Sequence, residues 1–463
     1  MATPVYVDNA SASEASPYDT WAKAAHLLST ITGQDTAGDV IYVISTHAES
    51  TNAAITLAVA GTRASPSKIY CVTNNAPPDT LAATAVVATG AGAYAITITG
   101  SFYCYGVIFK CGVGATNVSY IALGSADCFQ EYEACEFWTS STSTSVNNYV
   151  APLTSSSVPA ATVFRSCNLK FGATAHTITL AGQGSFHWIG GSVLSGSAAI
   201  TSLIACTNQR GYSVVIEGVD LSNCAQGLVF VRVDANMAEL NMIVRNCKLP
   251  ASWNGSLFSG TFSQPSSRIE MHNCDSADTN YRLWVVDSRG SIKSETGVYR
   301  DGGAGGSSGM YTGATELSGF SWLMTGVTDS EYPTIYLRSP EIVQWCGSTG
   351  SKTVTVEICH DGAAALTDAE IWIEVEYLST SGVPLASVSS DRCALMATPQ
   401  AQATTAAATW TGDSGTGPNG SSTWHLLSLV TPSFTVNEIG YLHARVILAA
   451  NKSVYVDPLL TIA

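Results

Sequence analysis

The feature of this chain that most restricts its fold is an internal period that recurs between Cys111 and Cys274. It emerges when Cys111, Cys135, Cys167, Gly191, Val219, Cys247 and Cys274 are aligned as markers, with separations of 24, 32, 24, 28, 28 and 27. Three residues before each marker stand Ile108, Tyr132, Phe164, Trp188, Ile216, Val244 and Met271, all apolar. Two residues after stand Val113, Phe137, Leu169, Val193, Leu221, Leu249 and Ser276, six of seven apolar. One residue after come Gly112, Glu136, Asn168, Ser192, Asp220, Lys248 and Asp275, none a large apolar side chain. Ile41, Ile69 and Ile96, spaced 28 and 27 apart, extend the same coil length toward the N-terminus.

A unit this short cannot bury its own apolar side, so neighbouring units must stack and share one core. Helical periodicity is almost absent inside the repeat, so the stacked units are strands. Strand residues alternate faces, and two inward positions three apart therefore require a bend between them. The residues just before the markers, Ala134, Ser166, Gly190, Gly218, Asn246 and Asn273, are small or turn-compatible. Asn246 and Asn273 are expected one rung apart, with their amides within reach along the stack. The marker cysteines then lodge in the core.

Composition narrows the function classes. Hydrophobic residues make up 46% of the chain and charged residues 12%, which excludes disorder and demands a packed interior. Lys and Arg number 20 against 35 Asp and Glu, a net charge of −15 that would repel phosphate backbones, so no nucleic-acid partner is expected. No apolar run approaches the ~18 residues that cross a bilayer, so no membrane partner is expected either. The first residues lack a basic cluster and an apolar stretch, and no secretory signal is expected. Thirteen cysteines, odd in number and without a CxxC pair, read as buried thiols of a reducing compartment rather than disulfides or zinc ligands. No cofactor and no metal is expected.

The N-terminal order is specific. Residues 5–9 read as a strand. Ser16-Pro17-Tyr18-Asp19-Thr20-Trp21 leads into a helix over 22–30, with Trp21, Ala25 and Leu28 at helical spacing and Gly33 past its end. Gly38-Asp39 then introduces a strand over 40–44. This order, followed by stacked short strands, resembles the right-handed parallel β-helix proteins of the pectate-lyase-like superfamily over about residues 5–300. That superfamily includes polysaccharide lyases and hydrolases, bacteriophage tailspikes, and phage particle proteins without catalysis. The resemblance therefore implies a fold more than a function.

The expected class is all-β: a right-handed parallel β-helix with a short N-terminal capping helix, then a C-terminal antiparallel β-sandwich. Residues 1–38 form the N-terminal strand and capping helix, 39–300 the β-helix, 301–338 a linker containing the glycine-rich run 301–309, and 339–463 the sandwich. Alternation at Val354, Val356 and Ile358 and at Ile371, Ile373 and Val375, with runs over 424–430, 441–448 and 453–456, marks the sandwich strands. Residues 395–422 read as an extended loop.

The candidate site residues are two outward columns, Asp220, Lys248 and Asp275, and Glu217, Arg245 and His272, each stepping one rung at about 4.8 Å. A lyase could use carboxylates on calcium and a cation to abstract a proton beside a uronic acid. A hydrolase needs two carboxyl groups flanking one bond. Alternating sign is also what adjacent rungs favour without any chemistry, so the columns read first as a charge ladder and no residue is assigned as catalytic. Elsewhere, His26 packs in the capping helix, His47 and Glu49 read as a surface pair, and His187 points outward beside inward Trp188. Trp372 reads as an exposed aromatic suited to a sugar or an interface. No GxSxG, HExxH or phosphate-loop pattern occurs.

The resemblance, the thiols and the lack of a leader together suggest a non-enzymatic structural protein of a bacteriophage virion, assembled in the host cytoplasm. A solenoid starting near residue 5 leaves no room for a separate particle-binding domain, which favours a capsid-surface decoration or head-fibre protein. Its partners are then other virion proteins and sister chains, a trimer by analogy. The alternatives are a tailspike or polysaccharide lyase or hydrolase acting on host surface glycan, and a carbohydrate-binding adhesin without catalysis.

Overall fold

The computed structural model describes residues 4–463 apart from 74–79, 91, 93, 113–119, 140–148, 153–158, 181–182, 207–210, 234–238, 261–266, 278–279, 288–289, 296–320, 327–336, 341, 361–370, 380–424, 432, 437–438 and 449–452. The chain divides into two compact units, Met1–Asp278 and Thr279–Ala463.

The first unit is a parallel β-helix with three strand positions per coil. On the first face, the inward position runs through Val5, Ile41, Ile69, Cys104, Tyr132, Phe164, Trp188, Ile216, Val244 and Met271, each paired in parallel register with the next. None of these side chains is more than 2% exposed. Ile216, Val244 and Met271 thus stand on successive rungs, as the period demands. The second face carries Ala48–Thr51, Ala85–Thr89, Val107–Lys110 and Glu136–Trp138, continued by the far ends of Ala160–Lys170 and Gly184–Val193. The third is an eight-stranded sheet running from Ile55–Ala58 to Ser256–Ser259.

The bend between the first two faces has one cause. Gly106, Ala134, Ser166, Gly190, Gly218, Asn246 and Asn273 all occupy the left-handed region, with φ between 48° and 76°. Glycine reaches it without strain and asparagine with little, which explains the small and turn-compatible residues before the markers. The turn lets the position three before the marker and the marker itself both face inward. Large aromatics fill the space between: Phe137 and Phe164 stack at 4.6 Å, and Tyr132 meets them edge-on at 5.2 and 5.6 Å.

Register corrects the sequence alignment at two rungs. The partner of Tyr132 is Cys104, not Ile108, and Phe137 lies against Phe109, not Val113. The marker on that rung is therefore Val107, four residues before Cys111, and the bend residue is Gly106. Ile96 does not continue the Ile41–Ile69 column but lies in the third sheet, paired with Ile55. Spacing misled at both places because unequal loops follow the strands. From Val5 to Ile41 and from Ile69 to Cys104 the chain takes visibly longer to return to the first face than it does between Trp188, Ile216 and Val244.

The expected capping helix is also different. In its place are two short 3₁₀ turns, Trp21–Lys23 and Leu28–Ile31. Between them Ala25 bridges Val7 in parallel, and its N–H bonds to Tyr6 O at 2.9 Å. The apolar positions read as one helical stripe instead bury Ala24, Ala25, Leu28 and Ile31 over the first coil. Tertiary pairing with the strand Pro4–Val7 overrides a short helical spacing that could not sustain a helix by itself.

The second unit is antiparallel. Asn280–Asp287, Gly290–Glu295, Ser321–Gly326, Ser453–Ile462, Val354–His360 and His425–Val430 pair in that order. A second sheet centres on Gly440–Leu448, flanked by Ile371–Ser379 on one side and Ile342–Cys346 with Leu337–Arg338 on the other. Val354, Val356, Ile358, Val454 and Val456 from one sheet share a buried cluster with Ile371, Ile373, Leu442, Ala444 and Val446 from the other. This is sandwich packing. Antiparallel pairing begins at Asn280, inside the span that the sequence pattern assigns to the solenoid. The 301–309 run, the 395–422 loop and the Trp372 side chain lie outside the described residues.

Candidate functional site

The outward columns exist as spacing predicts, but on different faces. Ser192, Asp220, Lys248 and Asp275 bridge in parallel one above another on the second face. Glu217, Arg245 and His272 stack on the first. The bend at Gly218, Asn246 and Asn273 separates the two columns, so they point away from a common centre. Lys248 Nζ lies 3.0 Å from Asp220 Oδ2, and Arg245 Nη2 lies 2.7 Å from Glu217 Oε2. His272 turns to Glu270 on its own strand, with Nε2 2.8 Å from Oε2. Burial works against charge on Asp220. Hydrogen bonds from the Ser222 hydroxyl and N–H and from Lys248 outweigh it, and hold the carboxyl below its ordinary value. A carboxylate so committed to a neighbouring ammonium is a poor base, and each column carries one cross-rung ion pair, Lys248–Asp220 and Arg245–Glu217.

A different cluster, missed from the sequence, lies farther toward the N-terminus on the first face. Register puts Tyr6, Tyr42, Tyr70 and Tyr105 in one outward column and Lys68, Tyr103, Glu131, Val163 and His187 in the next. Trp21 packs on Tyr6 with ring centres 4.7 Å apart, and contacts at 5.6, 6.3 and 5.7 Å link Tyr6, Tyr42, Tyr70 and Tyr103. The aromatic stripe ends on two glutamates. Tyr103 donates its hydroxyl to Glu133 Oε2 at 2.7 Å, and Arg165 Nε donates to Glu131 Oε1. Glu131 and Glu133 are two positions apart on one strand, so their Cα atoms are about 6.7 Å apart on the same side of the sheet.

The electrostatics follow from this packing. Burial, then the Glu133 hydrogen bond, pushes the Tyr103 phenol far up, and burial also raises Tyr70. Glu131 holds the Arg165 guanidinium in its charged form. His187, half-buried and facing Arg165, is pushed down by burial first and by that cation second. Both glutamates are already engaged, one by a cation and one by a phenol. The surface therefore offers aromatic rings beside acceptors and two exposed cations, Lys68 and Arg165, which suits polar, ring-shaped ligands.

The reason these residues escaped notice is the four-residue register slip. With Ile108 set against Tyr132, Tyr103 and Tyr105 never align with Glu131 and Glu133. A usable signal was present: the inward Cys104 is flanked by tyrosines on both sides and the inward Tyr132 by glutamates on both sides.

His47 and Glu49 form no surface pair. Both are buried, at 0% and 1% exposure, with Nε2 3.0 Å from Oε2. All eleven described cysteines are buried thiols. Cys104 and Cys135, on adjacent rungs, have Sγ atoms 3.8 Å apart. Among the described residues no group of three or more His, Cys, Asp or Glu side chains is arranged to hold a metal ion, and no helix is long and apolar enough to cross a membrane.

No family model matches the chain, and no curated protein matches it. Among solved structures it is similar to the enzymatically active domain of tailspike protein 4 of bacteriophage CBA120, at 8% identity and a TM-score of 0.23, covering 92% of this chain and 64% of that one. It is also similar to the tailspike protein of Acinetobacter phage vB_ApiP_P1, at 12% identity and a TM-score of 0.29, covering 97% of this chain and 87% of that one. The chain thus spans less than two thirds of the first of these structures. Likeness at these values carries no functional argument.

Proposed function

We propose that the chain is a structural component of a bacteriophage particle, exposed on the particle surface as a capsid decoration or head fibre, and that its charge ladder performs no catalysis. One observation carries this reading: buried cysteines brought close together on adjacent coils. Cys104 stands opposite Tyr132 and not opposite Cys135, yet the two sulfurs meet across adjacent coils, and a chain folding in an oxidising compartment would risk cross-linking such neighbours. Eleven described cysteines are buried and free, Cys104 and Cys135 with sulfurs 3.8 Å apart, and such a core suits folding in a reducing cytoplasm. A rigid solenoid made there and released by lysis matches a particle protein. Quantitative mass spectrometry of purified particles is the test. A copy number comparable to the shell subunits supports a capsid component, a few copies would favour a tail appendage, and absence from particles would refute the proposal.

A second reading draws on the tyrosine stripe. Rings in contact from Tyr6 to Tyr103 beside Glu131, Glu133 and Arg165 give a face suited to glycan contact. Incubation with host surface polysaccharide separates the cases. Binding lost in Tyr70→Ala, without cleavage, supports a non-catalytic adhesin. Cleavage lost in Glu133→Gln supports a depolymerase centred on this face. Cleavage lost in Asp220→Ala or Asp275→Ala would overturn the ladder reading.

A further inference from the structure

The buried His47–Glu49 pair joins three separate segments at the N-terminal end of the solenoid. Asn9 N–H points at His47 Nδ1 at 3.2 Å, and Leu28 N–H donates to Glu49 Oε2 at 2.6 Å. A backbone N–H can only donate, so Nδ1 must accept, and the ring proton sits on Nε2, where it is donated to Glu49 Oε2 at 3.0 Å. The imidazole is therefore neutral in this arrangement. Glu49 Oε1 is buried without a protein partner, so the carboxylate takes all its bonds through one oxygen.

What the pair holds down is a sheet edge. Ala48–Thr51 is the first strand of the second face and pairs with Ala85–Thr89 on one side only. Its other side is covered by the segment that His47 and Glu49 anchor. Asn9 bonds Ala48 through both side-chain atoms, at 3.2 and 3.3 Å, and the Leu28–Ile31 turn is fixed by the Leu28 N–H.

We propose that His47 and Glu49 form an acid-sensitive latch that keeps residues 8–31 closed over the open edge of Ala48–Thr51. Protonation of His47 strengthens its bond to Glu49, only two residues along the chain, but places a second N–H against the Asn9 N–H, so the contact to the covering segment turns from an attraction into a donor–donor clash. Protonation of Glu49 removes the charge that strengthens the His47 and Leu28 bonds. Either event loosens the segment locally and bares backbone groups able to pair with another strand.

The other groups around the pair do not act in this sense. Glu49 is the only titratable side chain hydrogen-bonded to His47 among the described residues, and the next rung sets Val86 against Ala48 and Val87 against Glu49. On the covering segment, Asp8 bonds Ala10 N–H, Asp19 pairs with Lys23, and Glu14 with His26. Acid would strengthen the last pair by charging His26, which opposes opening.

Hydrogen exchange of the full chain, read by mass spectrometry and corrected for intrinsic rates, tests the latch at about pH 7.5 and about pH 5. Peptides spanning 8–12 and 24–31 should exchange about tenfold faster at the lower pH, while the strand Gly211–Glu217 keeps its protection. His47→Gln, which can accept and donate but not titrate, should abolish the difference, and His26→Gln should leave it intact. Unchanged exchange in the covering segment, loss of protection along the whole solenoid at once, or a full acid response in His47→Gln would each overturn the proposal. Should His47→Gln not fold, the wild-type titration together with His26→Gln still decides, because loss of the response in His26→Gln would assign it to the wrong histidine.

Discussion

Gly191 and Gly218, on adjacent rungs, offer a controlled measurement of how tightly successive coils are packed. Gly191 stands at the marker position, opposite Cys167, with φ of 87°. A Cβ added there would lie 1.9 Å from the Cys167 carbonyl oxygen and 2.7 and 2.8 Å from its C and N. Gly218 stands at the bend with φ of 63°, and an added Cβ would meet nothing within 4 Å. Gly218→Ala therefore adds only left-handed strain, about 1 kcal/mol, the conformation that Ala134 already adopts at φ 51°. Gly191→Ala adds the same strain and a backbone overlap of about 1.5 Å relative to ordinary contact near 3.4 Å. Neighbouring rungs are joined by ladder hydrogen bonds and cannot part locally without losing them, so the total reaches about 3 kcal/mol or more. Thermal unfolding followed by tryptophan fluorescence reads the loss, and Trp188, fully buried three residues from Gly191, contributes to that signal. At about 2–4 °C per kcal/mol, Tm should fall by about 2–4 °C in Gly218→Ala and by at least about 6–12 °C in Gly191→Ala. Equal losses in the two variants would refute the close approach of the rungs at Gly191.

Four further outcomes follow from the same packing. Cys247→Asp places an unpaired charge at a site 1% exposed and should cost about 4 kcal/mol or more; near-wild-type thermal stability would contradict the inward marker column. Lys248→Ala should cost less than about 1 kcal/mol, because the ammonium is 64% exposed; a larger loss on thermal unfolding would show the ladder to be more than a surface ion pair. The depressed Asp220 carboxyl contributes stability that is present above its unfolded value, near pH 4, and is lost as pH falls through its lower folded value; Asp220→Asn should flatten that acid limb slightly in denaturant titrations across pH. A thiol-specific disulfide reagent should leave Cys224 unmodified in the native chain, since burial raises its thiol to about 12, and should modify it in denaturant; rapid native modification would show the position to be open.

Periodicity made the solenoid legible because a repeat must place equivalent side chains in one column. From Cys135 to Cys274 every aligned position survives as a rung neighbour. Before Cys135 the spacing from Val5 through Ile41, Ile69 and Cys104 to Tyr132 is irregular, and an apparent match at Cys111 displaced the true one at Val107. The chemistry suffered for the same reason: the Tyr103–Glu133 contact spans one whole coil, and its alignment depends on the rung that slipped.

Sequence alone determined the stacked all-β architecture, the inward cysteines, the bend before each marker and the antiparallel alternation near the C-terminus. Those properties follow from local side-chain pattern, which repeats whether or not the loops between strands are equal. Only the tertiary structure decided the register of the early coils, the replacement of a helix by two 3₁₀ turns, and the burial of His47 with Glu49. Each of these depends on which distant backbone groups are left to pair. Loop length does not change the hydrogen-bonding needs of a strand, but it does change which residue is there to meet them.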